Sequence, residues 1–312
     1  SYLFFSSLLT MELTQLRYFV AVVEAQNFTR AAEKSNVTQP SLSQQIINLE
    51  RELGQRLFHR LGRKAVPTEA GNAFLQRARG ILRDVEDAAR EMGDHSGQGR
   101  RIAIGAVQTV MPYLISDLVI QCRTSHPHLM IDAHEGFRAD LVRGVLEGTL
   151  DLAVVPLPVK DRQLAIEPLL SEPLLLTVGR DHPFASQPEI DIRAIAGETF
   201  VGLGDSSALA AQVRAFFGDQ KLEPRIGIRC TQVATLKRFV AAGLGISLLP
   251  QLARHEEDRE SLVYLRLTGD EPRRELVVIR HPQRYQTRGT EEFLKLMRQH
   301  VRSRFPAPAG HA

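Results

Sequence analysis

The stretch Gln39 to Gly54, QPSLSQQIINLERELG, carries side chains suited to reading nucleic-acid bases. Ser41, Gln44, Gln45 and Asn48 are spaced 3, 1 and 3, which gathers them on one side of a helix. An exposed helix face usually carries Lys and Glu. This one carries short neutral amides and hydroxyls, which both donate and accept hydrogen bonds. Gln and Asn match the adenine edge in a duplex major groove, and Ser serves several bases or phosphates. The opposite side holds Leu42, Ile46, Leu49 and Leu53, spaced 4, 3 and 4, as a buried stripe requires. Pro40 fits a first helical turn and Gly54 fits a helix stop. A merely solvated polar face is the competing reading of this helix alone.

A second group of candidates lies further along, where loops precede helices. Gln108 and Thr109 in GAVQTV, Ser206 and Ser207 in LGDSS, and Thr231 with Gln232 each place hydroxyls or amides beside free backbone N–H groups. Arg138 follows a strand and can pair with an anion. Simple helix capping is the competing reading for each loop. Convergence on one cleft would make a site for a small anionic effector.

Enzyme chemistry finds little support. Gly202 and Gly204, and Gly243 and Gly245, begin GxG patterns that lack the third glycine of a dinucleotide fingerprint. There is no GxxxxGK[ST] loop, HExxH pair or GxSxG elbow. No cofactor is called for. An enzyme with an appended DNA-binding domain remains the rival class, and slow turnover of a bound effector would reveal it.

The elements that must position these residues follow from periodicity. Leu13, Leu16, Phe19, Val20 and Val23 mark a first amphipathic helix, with Thr14 available as its N-cap. Phe28 to Ser35 forms a short second helix, and Asn36 to Thr38 turns the chain into Pro40. Two short helices, a tight turn and a polar helix make a helix-turn-helix. Arg56 to Thr68 then reads as a basic hairpin, or wing, with Gly62 at its turn among Arg60, Arg63 and Lys64. From Arg51 to Lys64 five Lys/Arg stand against one Glu, an electrostatic footprint that the whole-chain charge of +3 hides.

Phe74, Ala78, Ile81, Val85, Ala88 and Met92 repeat at 4, 3, 4, 3 and 4, a heptad seam that suits either dimerisation or packing on the same domain. A dimer is what a helix-turn-helix needs to read two half-sites. Gly93 to Gly99, GDHSGQG, reads as a flexible linker. Beyond it strands and helices alternate. Strands fall at 101–107, 129–134 and 150–155, with helices at 112–125 and 139–147, a βαβαβ run that implies a mostly parallel sheet. A second set has strands at 174–178, 199–203, 225–230 and 246–248, with helices at 208–217 and 233–242. A strand at 274–279 and a helix at 291–304 close the chain. Two α/β lobes with a cleft between them fit this order.

With 312 residues, 43% hydrophobic and 24% charged, two or three globular domains are expected. Two cysteines exclude a disulfide framework or zinc cluster. No stretch has 18 uncharged apolar residues, so no membrane partner is expected, and a cytoplasmic location is. Met11 looks like the natural start. The extension 1–10 reads as an alternative upstream start or a leftover of cloning.

The run from Leu13 to Gly71, LTQLRYFVAVVEAQNFTRAAEKSNVTQPSLSQQIINLERELGQRLFHRLGRKAVPTEAG, resembles the DNA-binding region of the LysR-type transcriptional regulators, and the later domains resemble the same family. The resemblance implies that Gln39, Pro40, Ser43 and Gln44 touch bases or nearby phosphates. It implies that Arg63 reaches the minor groove and that Thr29, Arg30 and Arg51 contact the backbone. It further implies the two-lobed α/β topology of periplasmic binding proteins, a homodimer or homotetramer on promoter DNA, and contact with RNA polymerase. The expected domains are a winged helix-turn-helix at 11–68, a linker helix and hinge at 69–99, an effector domain at 100–306 and a tail at 307–312. Lobe one would comprise 100–171 and 273–306, and lobe two 172–272.

IGAVQTVMPYL, PLLLTVGRDHPFA and TLKRFVAAGLGISLLP resemble the peroxide-sensing, OxyR-type branch, which makes an oxidative-stress regulator the alternative reading. That branch implies a reactive cysteine in lobe two. Alignment through LGDSSALAAQ puts Ala208 there, and Arg138 replaces a threonine of that branch. Cys122 follows Leu118 by four residues and Cys230 alternates with Ile226 and Ile228, so both are expected on buried faces. A non-redox effector, such as a carboxylate, fits better.

Overall fold

The polar helix and its partners sit in the first of two units. A computed structural model of the protein describes residues 11–61, 64–95, 100–269 and 271–305, and the chain divides at Gly93 into two compact units. In the first unit α1 (Leu13–Ala25), α2 (Phe28–Lys34) and α3 (Gln39–Leu53) precede the hairpin β1 (Phe58–Leu61) and β2 (Lys64–Pro67), and α4 (Glu69–His95) follows. Leu42, Ile46 and Leu49 of α3 are buried, as their spacing requires, against Leu16, Phe19 and Val22 of α1 and Ala31 and Ala32 of α2. The rings of Phe58 and Phe74 both meet Phe19, with centroids 5.4 and 5.3 Å away. Gly54 ends α3 at φ +64°, a left-handed conformation that glycine adopts without strain. A side chain at Gly71 would stand 2.2 Å from the Leu57 carbonyl oxygen, so only glycine lets α4 start this close to the wing.

Three expectations for this unit are corrected. The cap of α1 is Glu12, whose backbone N–H donates to Oε1 of Gln15 at 3.0 Å. Thr14 lies inside the first turn. α4 runs through Gly93 and Asp94 to His95, because one glycine costs a helix only about 1 kcal/mol. Residues 96–99 of the expected linker, and Gly62 and Arg63 of the wing, lie outside the described residues. Finally, the heptad seam is split. Ala78 is fully buried and Phe74 packs on Phe19 in the unit's own core, while Ile81, Val85, Ala88 and Met92 are exposed.

In the second unit β3 (Arg100–Val107) leads into a π-helical turn, Met111–Ile115, and α5 (Ser116–Ser125). β4 (Leu129–Gly136), α6 (Arg138–Glu147) and β5 (Leu152–Pro156) follow, and then the long β6 (Ala165–Gly179). β7 (Glu189–Asp191), β8 (Thr199–Leu203), α7 (Ala208–Asp219), β9 (Arg225–Cys230), α8 (Val233–Ala241) and β10 (Ser247–Pro250) come next. β11 (Leu262–Thr268), β12 (Arg273–Arg280) and α9 (Arg288–Arg304) complete the order.

The large sheet runs β4-β3-β5-β12-β6-β11-β7, with β10 also paired to β6. β3, β4 and β5 are parallel, as the βαβαβ run implies. β12 is antiparallel to both β5 and β6, and β10 and β11 are antiparallel to β6, so the sheet as a whole is mixed rather than mostly parallel. Two cores result. One holds Ile102, Leu118, Val154 and Phe293; the other holds Leu176, Phe200, Phe217 and Leu236. β6 contributes to both, and Tyr113 packs against both.

Candidate functional site

α3 presents most of the polar face that its spacing encodes; Gln45 departs from it, half-buried and accepting from Nε2 of buried Gln15 at 3.3 Å. The Thr38 hydroxyl caps it by accepting from the Ser41 N–H at 3.4 Å, and Pro40 occupies the first turn. Gln39, Pro40, Gln44 and Arg51 are exposed and Ser43 is half-buried. Gln44 Nε2 donates to Asn48 Oδ1 at 3.1 Å, and the Arg51 guanidinium donates to the same oxygen at 3.2 Å. These contacts hold extended amides in place before any partner arrives. Ile47 stands among them 37% exposed, an apolar side chain on a polar face that a thymine methyl would complement. Its place beside Gln44 and Asn48 follows from the sequence, since position 47 falls outside the Leu42, Ile46, Leu49 stripe.

Glu50 fixes the wing. Its Oε1 accepts from the N–H groups of Leu57 and Phe58 at 2.7 and 3.2 Å. The Ala65 N–H donates to the Gln26 carbonyl, tying β2 to the turn before α2. The backbone of Arg60 pairs with Ala65 and that of Lys64 with Leu61, so both basic residues sit on the hairpin; Arg63 falls outside the described residues. Asn27 Oδ1 accepts from the Arg30 N–H and starts α2, which leaves Thr29 and Arg30 exposed in its first turn. The unit thus exposes a polar helix together with Arg30 and Arg51, residue types that make base-edge and phosphate contacts.

In the second unit Gln108, Thr109, Arg138 and Ser207 come together. With Gly136, Phe137 and Ala208 they line a recess of about 10 Å³ where the ends of β3 and β4 meet the start of α7. That is room for roughly one water. Ser206, Thr231 and Gln232 are exposed and do not line it. Arg138 starts α6 and reaches the Pro156 carbonyl oxygen at 3.5 Å. Behind the recess lies a residue that sequence reading missed. Arg274 is 1% exposed and donates to the Thr109 hydroxyl at 2.7 Å and its carbonyl at 3.3 Å. Glu172, also 1% exposed, neutralises Arg274 and accepts from the Leu252 N–H at 2.5 Å. Because its oxygen accepts from Arg274, the Thr109 hydroxyl has its own proton to donate.

A second polar cluster joins the two cores. Lys237 Nζ donates to Asp258 Oδ2 at 2.7 Å and to the Ala253 carbonyl at 2.6 Å, and lies 5.2 Å from the centre of the Tyr113 ring. The Tyr264 hydroxyl donates to the same carboxylate oxygen at 2.6 Å. Burial, then the nearby Asp258 and Glu135 carboxylates, push the Tyr113 hydroxyl up to about 12. Both thiols are free and buried. Burial pushes Cys122 up, with Glu292 adding to it, and burial pushes Cys230 up as well. Such thiols are poor nucleophiles. Among the described residues no helix is long and apolar enough to cross a membrane.

A winged helix-turn-helix joined to a two-lobed α/β unit with a polar recess defines a DNA-binding regulator with an effector domain. Comparison with known proteins gives the family. Residues 13–72 match the lysR-family bacterial regulatory helix-turn-helix protein, and residues 95–302 match the LysR substrate binding domain. The chain belongs to the LysR family of transcriptional regulators. It is 36% identical over 276 residues to the DNA-binding transcriptional dual regulator OxyR of Escherichia coli K12, covering 87% of this chain and 90% of that one. Its fold is similar to full-length OxyR from Pseudomonas aeruginosa, with TM-score 0.72, 25% identity, and 94% and 95% of the two chains covered. It is also similar to CbnR complexed with its target DNA, with TM-score 0.64, 24% identity, and 93% and 99% covered.

Proposed function

We propose that this regulator reads promoter DNA through α3 and the wing, and that a small anionic effector, admitted as the recess at Thr109 and Arg138 widens with the lobes moving apart, sets its activity. Gln39, Pro40, Ser43 and Gln44 contact bases or adjacent phosphates; Thr29, Arg30, Arg51, Arg60, Arg63 and Lys64 contact the backbone or minor groove. The exposed part of α4 joins two copies, and pairs of dimers make a tetramer. Effector binding favours one arrangement of the lobes, which changes the spacing of the DNA-binding pairs and the contact with RNA polymerase. The protein acts in the cytoplasm, where promoters are.

The observation that carries the effector reading is the convergence of the Thr109 hydroxyl, the Arg138 guanidinium and the start of α7 on one recess, with Arg274 buried behind it. The resemblance to OxyR supports a second reading, peroxide sensing. Against it stand the alanine at position 208 and two thiols that burial disfavours as thiolates. A thermal-shift screen with small carboxylates, aromatic carboxylates, inorganic anions and hydrogen peroxide separates the two. A ligand at 100 times its Kd stabilises the fold by about 2.7 kcal/mol. A carboxylate hit abolished in Thr109→Val or Arg138→Ala supports the anion site. A response to peroxide alone refutes it.

A further inference from the structure

α7 stands on two posts. Leu209 at its start and Phe217 near its end are buried, and the Phe217 ring meets Phe200 of β8 edge-on with centroids 5.2 Å apart. Between the posts the helix turns the smaller Ala210 and Val213 toward β8 and β9. Small residues between large props leave the helix raised over the strands, and a cavity of about 70 Å³ lies beneath it. Phe200, Val213 and Ile226 are among its apolar walls. A wholly apolar cavity of about 150 Å³, roughly twice this size, stays dry and takes up benzene.

The rim is not apolar. Arg229, Arg214 and Asp205 also line the cavity. Arg214 is neutralised by Asp205. The Arg229 side chain is exposed and makes no hydrogen bond or ion pair among the described residues. The edge of an apolar hole therefore carries one uncompensated cation.

We infer that this cavity is a second ligand site, for a small amphiphile with a short apolar body and one carboxylate head. The body lies under α7 and the head pairs with Arg229. The site is separate from the recess at Thr109, which has room only for about one water. Leu209 lines both, so a ligand under α7 presses on a wall of the recess.

Hexanoate, 1-hexanol and acetate are the probes, titrated calorimetrically into the purified full chain. Hexanoate binds saturably, 1-hexanol roughly tenfold more weakly for want of one charge-assisted contact, and acetate not at all. Arg229→Gln brings hexanoate down to the affinity of 1-hexanol. Val213→Phe fills the cavity and abolishes both, and Ala210→Val serves the same end if the larger side chain impairs folding. Thr109→Val and Arg138→Ala leave both affinities unchanged. The inference is overturned by the absence of saturable binding, by equal affinity for hexanoate and 1-hexanol, or by binding that survives the filled cavity and disappears in Arg138→Ala.

Discussion

Arg274 and Glu172 pair at 2.7 Å inside the effector unit, 102 residues apart in sequence and each about 1% exposed. Burying two charges is costly, and the pair persists because hydrogen bonds to Thr109 and Leu252 use the remaining donor and acceptor capacity. Glu172 lies on β6 and Arg274 on β12, in the stretch where β6 passes from one core to the other. The bridge thus fixes the strand crossing and orients Thr109 at the same time.

Removing one partner strands a buried charge. Glu172→Leu is expected to lower the unfolding free energy by about 3–5 kcal/mol, and adding Arg274→Met to restore most of it. The denaturant midpoints of the two variants check this. A double variant no better than the single would show that the charge is not what matters.

Gln44→Ala is expected to weaken binding to selected DNA by about 1–3 kcal/mol and leave binding to scrambled DNA nearly unchanged. Gln44 is exposed and steadied by Asn48, so its loss does not disturb the core. Titration of labelled duplexes at one fixed salt concentration measures both. Equal losses would reduce Gln44 to a phosphate contact.

The polar face of α3 was legible because a strong 4, 3, 4 apolar stripe leaves it as the remainder. The recess was legible in part. Thr109, Arg138 and Ser207 stand at strand-to-helix junctions, a local rule, but which junctions meet depends on strand order, and Thr231 and Gln232 did not join them. The first half of β6, AIEPLLSEP, hid as a strand because Pro168 and Pro173 interrupt it. β11 was also overlooked, although its second half, LRLT, alternates buried and less buried positions. Glu172 and Arg274 were missed because charge was read as exposure. Two opposite charges at inward positions of apolar strands were the available signal.

The split seam on α4 gives a paired prediction. Val85 is 37% and Met92 64% exposed, whereas Phe74 packs on Phe19. Val85→Asp with Met92→Asp is expected to yield monomers by sedimentation with an unchanged melting temperature of the DNA-binding unit. Phe74→Asp is expected instead to lower that temperature, since it puts a charge into the core. An unchanged assembly in the first variant would place the subunit contact elsewhere.

Asp258 ties acid stability to the cluster around Lys237. Burial alone would raise its carboxyl, but hydrogen bonds from Lys237, Tyr264 and the His255 N–H, with the Lys237 charge, hold it below its ordinary value. A carboxyl lowered by folding adds stability that is present in full above its unfolded pKa, about 3.9, and is lost as pH falls through the folded value. The wild type should therefore lose stability below about pH 4 in part through this group. Asp258→Asn should be less stable at neutral pH, because Lys237 and Tyr264 lose their charged partner, and its stability should fall less steeply in acid. Glu167, held low by Arg298 and Arg280 against the opposing effect of its burial, contributes with the same sign, so the acid slope of Asp258→Asn is reduced rather than abolished. Urea unfolding at pH 7, 5 and 3 measures the difference between the two proteins, and a constant difference across that range would show that Asp258 titrates alike in the folded and unfolded chains.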